Sequence, residues 1–274
     1  FEVKQMTIMF IGDVIGSPGR EMVRRYLPRI KEQYGIDFAI LNAENIAGGF
    51  GVTLKTLAEM SAAGADMFTG GNHTWDKSDA VEAMKKYPMI RPLNYPAELG
   101  GDGVKVVEIK GERLGVVNLM GHFSMPISDN PFRLAKEAVN RLKSEGINSI
   151  FIDFHAETTS EKEALWRYLE SDVSFIAGTH THIGTDDLRI EGGCGFVADV
   201  GLTGCRDGVI GVNKDEPIFR FLTGTSKRFA VNKECKKIFQ AIVFELETGR
   251  CTNAFKLKAY DDKEPFVSME AYIG

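Results

Sequence analysis

The segment Thr7-Ile8-Met9-Phe10-Ile11-Gly12-Asp13 is an unbroken apolar run that stops abruptly at a carboxylate. A run so short and so continuous, with neither helical nor alternating periodicity, reads as a strand buried on both faces. Runs of the same kind recur at Asp37 to Leu41, Asp66 to Thr69, Ile150 to Phe154 and Val173 to Ala177. Between and after them lie stretches with helical spacing: Arg20 to Tyr34, Leu54 to Ala63, Lys77 to Lys86, Pro131 to Glu145 and Ser160 to Leu169. This alternation predicts a layered α/β protein. Val104 to Ile109 and Leu114 to Leu119 flank Lys110-Gly111-Glu112-Arg113 and predict a β-hairpin, while Gly195 to Val200 and Ala241 to Leu246 add strand-like runs to the second half. No repeat, low-complexity tract or Pro/Ser-rich linker interrupts the chain, so residues 1–274 read as a single domain.

The 274 residues are 43% hydrophobic and 26% charged, which excludes disordered, collagen-like and coiled-coil chains. A net charge of -5 argues against a general nucleic-acid or anionic-membrane coat, since both are bound by basic surface. The basic residues Lys227, Arg228, Lys233, Lys236 and Lys237 read as a solvated face, and RNA binding is disfavoured. No signal-peptide pattern or apolar run of membrane-spanning length is present, so no membrane partner is expected and the expected location is cytoplasmic. Met6 has the look of a start residue, with residues 1–5 ahead of it. Cys194, Cys205, Cys235 and Cys251 lack the short spacing of a zinc knuckle or redox pair and are expected as reduced thiols. A homo-oligomer is compatible with the sequence, which carries no readable mark of an interface.

In open α/β sheets ligands bind beyond the carboxyl ends of the strands. The residues directly after the apolar runs are, in order, Asp13; Asn42-Ala43-Glu44-Asn45; Gly70-Gly71-Asn72-His73; His155 with Glu157; and Gly178-Thr179-His180-Thr181-His182. Taken singly, Asp13 and Asn72 read as turn formers or helix caps. Together they are harder to dismiss. Four of the five histidines fall at strand ends, and His180 and His182 would share a face of an extended segment. Imidazole, carboxylate and amide oxygen without thiolate suit iron, manganese or zinc. Asp13, Glu44, Asn45, Asn72, His155, His180 and His182 are more donors than one ion takes, so a two-metal site is expected.

The ordered set Asp13, Glu44-Asn45, Gly71-Asn72-His73, His155 and Gly178-Thr179-His180-Thr181-His182 resembles the calcineurin-like metallophosphoesterases. Gly12-Asp13-Val14-Ile15-Gly16, Leu41-Asn42-Ala43-Glu44-Asn45 and Asp199-Val200-Gly201-Leu202-Thr203-Gly204 resemble one bacterial branch, the YmdB-like proteins associated with 2',3'-cyclic nucleotide phosphodiesterase activity. The wider superfamily begins Asp-x-His and bridges its metals with Asp; here Asp13-Val14-Ile15 lacks that imidazole and Glu44 stands at the bridge. The resemblance implies a layered β-sandwich core flanked by helices. It implies a first metal on Asp13, Glu44, Asn45 and His182, a second on Glu44, Asn72, His155 and His180, and iron or manganese as the ions. His73 is implied as the catalytic acid.

The resulting expectation is a phosphoric diester hydrolase acting on a small-molecule cyclic nucleotide. Two ions about 4 Å apart would make hydroxide available near neutral pH, and His73 would protonate the departing oxygen. A metal-dependent phosphomonoesterase, and a regulatory metal- or nucleotide-binding protein with weak turnover, are the alternatives. His122 has no expected role.

Overall fold

Both faces of the first strand are covered, which is why its sequence shows no alternation: Met9 and Ile11 pack into one core layer, Met6, Ile8 and Phe10 into another. The computed structural model describes residues 5–225, 227–261 and 263–274. Four of the five residues ahead of Met6 lie outside that range, and the fifth, Gln5, opens the first strand.

The first half runs β1 (Gln5–Ile11), α1 (Gly16–Tyr34), β2 (Phe38–Asn42), α2 (Leu54–Ala62), β3 (Met67–Thr69), α3 (Ala80–Lys86), β4 (Val104–Ile109), β5 (Glu112–Met120) and α4 (Pro131–Ser144). The second half runs β6 (Ser149–His155), α5 (Thr159–Leu169), β7 (Phe175–Thr179), β8 (Arg189–Glu191), β9 (Cys194–Val197), β10 (Gly204–Cys205), α6 (Asp215–Thr223), β11 (Lys237–Glu247), β12 (Arg250–Tyr260), β13 (Phe266–Glu270) and β14 (Tyr272–Ile273). Two sheets result. One has the order β13-β12-β11-β1-β2-β3 with β10 beside β11; the other has the order β14-β8-β9-β7-β6-β5-β4.

The sheets face each other across an aromatic core. Phe175 and Phe244 stack at 4.5 Å between centroids, Phe151 and Phe244 at 5.3 Å, and Phe10 meets Phe151 edge-on at 4.9 Å. All four are fully buried, and each such burial contributes roughly 2–3 kcal/mol. Outside the first sheet, Met22, Val23 and Leu27 of α1 and Leu57 and Met60 of α2 cover Met9 and Ile11. Outside the second, Val139 and Leu142 of α4 and Leu165 and Trp166 of α5 cover Val117 and Ile152. The architecture is therefore the expected β-sandwich with helices on both outer faces. Among the described residues, no helix is long and apolar enough to cross a membrane.

Three expectations are corrected. The hairpin connection is two residues, not four: Ile109 pairs with Glu112, and Lys110 and Gly111 turn with φ of 53° and 82°, so Glu112 and Arg113 belong to β5. Two positive φ values match the right-handed twist of the flanking strands, which a longer loop would not need. Cys205 and Cys235 form a disulfide, although they are 30 residues apart in sequence. The register Cys205↔Lys237 between β10 and β11 folds the intervening segment back and brings Cys235 alongside. Cys194 and Cys251 are free and buried. His180 and His182 do not share an extended face, because both have left-handed backbones with φ of 93° and 65°.

Candidate metal centre

The strands β1, β2 and β3 are parallel, as are β5, β6 and β7, and the residues that follow them in the two sheets meet at one edge. His155 is the last residue of β6; Asp13, Glu44, Asn45, Asn72, His180 and His182 all lie within four residues of a strand end. Glu44 Oε1 is 3.3 Å from His155 Nε2, and that nitrogen is 3.0 Å from Asn72 Oδ1 and 3.1 Å from His180 Nδ1. Asp13 Oδ1 is 3.7 Å from His182 Nε2, and Asn45 Nδ2 lies 2.8 Å from Glu44 Oε1 and 3.5 Å from His182 Nε2. Ligand atoms of Glu44, His155 and His180 lie within 4.8 Å of one another, and so do those of Asp13, Glu44 and His182. Glu44 belongs to both groups. The two histidines of the 180–182 loop thus divide between them, one to each. Gly71 permits the approach: a Cβ there would stand 2.3 Å from Glu44 Oε2 and 2.5 Å from His155 Nε2.

Hydrogen bonds fix the tautomers. Thr179 Oγ1 donates to Asp153 Oδ1 at 2.7 Å, so at 2.9 Å it accepts from His155 Nδ1–H, and Nε2 is the nitrogen turned toward Glu44 and Asn72. His182 Nδ1–H donates to the Ile210 carbonyl at 2.8 Å, leaving its Nε2 lone pair toward Asp13. Acceptor atoms of Asp13, Glu44, Asn72 and His182 therefore converge, with Asn45 Nδ2 donating to Glu44 Oε1 among them. Two fully or nearly buried oxygens in the same place, Asp13 Oδ1 and Asn45 Oδ1, have no hydrogen-bond partner. Buried polar atoms without partners are strongly disfavoured, and a cation is what this donor set fits. Burial pushes the Asp13 carboxyl up from its ordinary value. At Glu44 burial acts in the same direction but is outweighed by the charge and hydrogen bond of His155 and by the His73 backbone N–H, which hold it well below the usual carboxylate range.

A second layer, not read from the sequence, holds these groups. Asp153 Oδ2 accepts from Asn42 Nδ2 at 3.0 Å and from Thr69 Oγ1 at 2.5 Å, joining the two sheets behind His155, and its burial pushes the carboxyl up to about 7. The signal was present, since Asp153 interrupts the apolar run Ile150 to Phe154. Asp199 Oδ2 accepts from the Thr181 N–H at 3.1 Å and from Thr181 Oγ1 at 2.8 Å, and Lys162 Nζ lies 3.0 Å from the same oxygen. A lysine inside a helical stretch offers no comparable signal.

His73 joins neither group. Its backbone N–H donates to Glu44 Oε2 at 2.9 Å, its Nδ1–H to Asp76 Oδ2 at 2.8 Å, and its ring meets Phe50 edge-on at 4.8 Å. It lines a cavity of about 460 Å³ together with Glu44, Asn45, His180 and His182. Glu157, whose Oε2 is 3.1 Å from His180 Nε2, lines it too. His122 lies on an exposed loop and donates through Nε2 to the Ser128 carbonyl at 2.7 Å, apart from the two groups. In the basic stretch, Lys227 and Arg228 are exposed and Lys227 Nζ sits 3.8 Å from the centre of the Phe219 ring.

Two facing mixed sheets with helices outside, and a His/Asp/Glu/Asn cluster at the shared strand edge, define the metallophosphoesterase fold. The model of the YmdB-like protein family matches residues 9–257, and the chain belongs to that family. It is 42% identical over 244 residues to the 2',3'-cyclic-nucleotide 2'-phosphodiesterase of Bacillus subtilis, covering 88% of this chain and 92% of that one. The crystal structure of a novel phosphatase from Mycoplasma pneumoniae superposes with a TM-score of 0.89 at 33% identity, over 94% of each chain. That of a hypothetical protein from Thermus thermophilus superposes with a TM-score of 0.85 at 36% identity, over 97% of this chain and all of the other.

Proposed function

We propose that this metal-dependent phosphoester hydrolase acts on phosphodiesters of the 2',3'-cyclic nucleotide class at a dinuclear centre. The observation that carries the number of ions is the position of Glu44 in both donor groups, beside buried oxygens of Asp13 and Asn45 that have no partner. Asp13, Glu44, Asn45 and His182 would hold one ion, and Glu44, Asn72, His155 and His180 the other. Iron or manganese is the favoured pair, with zinc compatible with the donors. The substrate class is supported by the 42% identity to the Bacillus subtilis enzyme.

Two divalent ions held there would supply a nucleophilic water near neutral pH and would neutralise charge on the phosphate oxygens. The chain's own residues orient and protonate. Thr179 and the Ile210 carbonyl accept the Nδ1 hydrogens of His155 and His182 and orient both rings, so that each would meet an ion through Nε2. Asp76 fixes the ring of His73 through Nδ1, so His73 Nε2 is the atom that gives its proton to the departing oxygen. Elemental analysis of purified protein, expected to give close to two metals per chain, tests the centre. Turnover of 2',3'-cyclic AMP, lost with chelator and restored by manganese, tests the reaction; a metal-free protein of full activity would overturn both.

A further inference from the structure

We propose that the apolar wall of the cavity, formed by Phe50, Phe221 and Phe229 with Arg220, is the subsite for the nucleobase; this rests on the phosphodiester reading above. The cavity has two unlike sides. Glu44, Asn45, His73, His180 and His182 supply one, the side on which the phosphate ester would be held and hydrolysed. The other comes from two separate segments, Phe50 from the loop after β2 and Phe221 and Phe229 from the segment between β10 and β11. Phe50 also packs edge-on against His73, but hydrolysis itself has no use for Phe221 and Phe229. A planar base attached to the ribose does, because every base offers a π-face to stack on an aromatic side chain.

Phe221 is 85% exposed although it lines the cavity, an arrangement that leaves a large apolar face to water unless a ligand covers it. The Arg220 guanidinium lies 5.9 Å from the centre of the Phe229 ring, placing a planar cation with several N–H donors where the acceptor edge of a base would come. The wall is fixed relative to the metal centre. The Ile210 carbonyl reaches His182, the Asn213 N–H donates to the Ala230 carbonyl at 2.7 Å, and the Cys205–Cys235 disulfide closes the segment. A methyl of Val231 sits where a Cβ on Gly49 would fall, at 2.7 Å, so this segment also rests on the loop that carries Phe50. Purines, with the larger face, are favoured over pyrimidines.

The test is calorimetric titration of manganese-loaded protein with adenosine 3'-monophosphate and with 1-O-methylribose 3-phosphate, which lacks the base. Phe221→Ala and Phe229→Ala are each expected to weaken the nucleotide about tenfold relative to the base-free phosphate, the scale of one lost stacking contact. Phe221→Tyr keeps the ratio. Leu222→Ala, on the same helix but outside the cavity, leaves both affinities within about twofold. Equal weakening of the two ligands, or none, overturns the subsite. Turnover of 2',3'-cyclic AMP by the unaltered protein tests the phosphodiester reading separately, because these affinities report on the wall whether or not the cyclic ester is cleaved.

Discussion

Lys162 Nζ lies 3.0 Å from Asp199 Oδ2, and both side chains are only 1% exposed. The pair stands directly behind His180-Thr181-His182, because the same Asp199 oxygen receives the backbone N–H and the hydroxyl of Thr181. His180 and His182 both hold positive φ, an unfavourable backbone for residues with a Cβ, so the loop keeps its shape only while something fixes Thr181 between them. Removing one partner of a buried ion pair leaves an uncompensated charge and costs about 3–5 kcal/mol. Lys162→Met is therefore expected to lower stability by that amount in urea unfolding and to cut metal content measured by mass spectrometry, although Lys162 touches neither donor group. A variant with unchanged stability and full metal content would show that the pair does not hold the loop.

His73 makes the opposite prediction. It lies in the cavity outside both donor groups, so His73→Ala should lower kcat by roughly 10²- to 10⁴-fold while metal content stays near that of the unaltered protein. Asp76→Asn, which keeps the ring but weakens its anchor, should fall between. Metal analysis and steady-state kinetics on the same samples decide; loss of metal from His73→Ala would make it a ligand rather than an acid.

The paths of the five buried parallel strands were legible to within about two residues, since covering on both faces leaves a continuous apolar run that polar residues end sharply. Following those ends was enough to collect Asp13, Glu44, Asn72 and His155. The antiparallel half was less legible: β12 alternates between buried and exposed positions unevenly, and β13 is largely exposed. The division of His180 and His182 between two groups was implied by the family resemblance alone, and spacing pointed the other way, to a shared face. It depends on left-handed backbone at non-glycine residues, which Asp199 and Ile210 impose from about 20 to 30 residues away in sequence, and local propensity carries no trace of that. The aromatic wall of the cavity was missed likewise, its rings belonging to segments brought together only by the β10–β11 pairing.

The Cys205–Cys235 bridge closes a segment of 30 residues whose helix α6 buries only Pro217. So little of this segment is packed that the cross-link should carry much of its order. Chain-entropy considerations put its contribution at about 3–4 kcal/mol, counted against an unfolded chain free of the link. Cys235→Ala, or a reducing agent, is expected to lower the melting temperature and to speed proteolysis between residues 206 and 234, with the rest of the chain resistant. Peptide mapping under non-reducing conditions should recover the linked peptide; finding both thiols free in protein purified without reductant would remove the bridge.

Lys256 on β12 gives a pH dependence with a definite sign. Its side chain is 2% exposed, and burial, assisted by nearby Lys258, pulls its pKa down to about 8 from 10.5. Its Nζ donates to the carbonyls of Thr185 at 2.7 Å and Asp199 at 3.2 Å, bonds that a neutral amine can also make. Above pH 10.5 the group is neutral in both folded and unfolded chains and contributes nothing to the dependence. Between 10.5 and 8 the unfolded chain binds the proton and the folded one does not, so stability falls as pH falls. Below 8 both are charged and the deficit is constant, at up to about 3 kcal/mol. Lys256→Gln, which keeps a donor but cannot charge, should remove this contribution. The difference in unfolding free energy between variant and unaltered protein is therefore expected to be constant below pH 8 and to shift in favour of the unaltered protein from pH 8 to 10.5. A difference that stays flat across that window would mean that Lys256 is not held below its ordinary pKa.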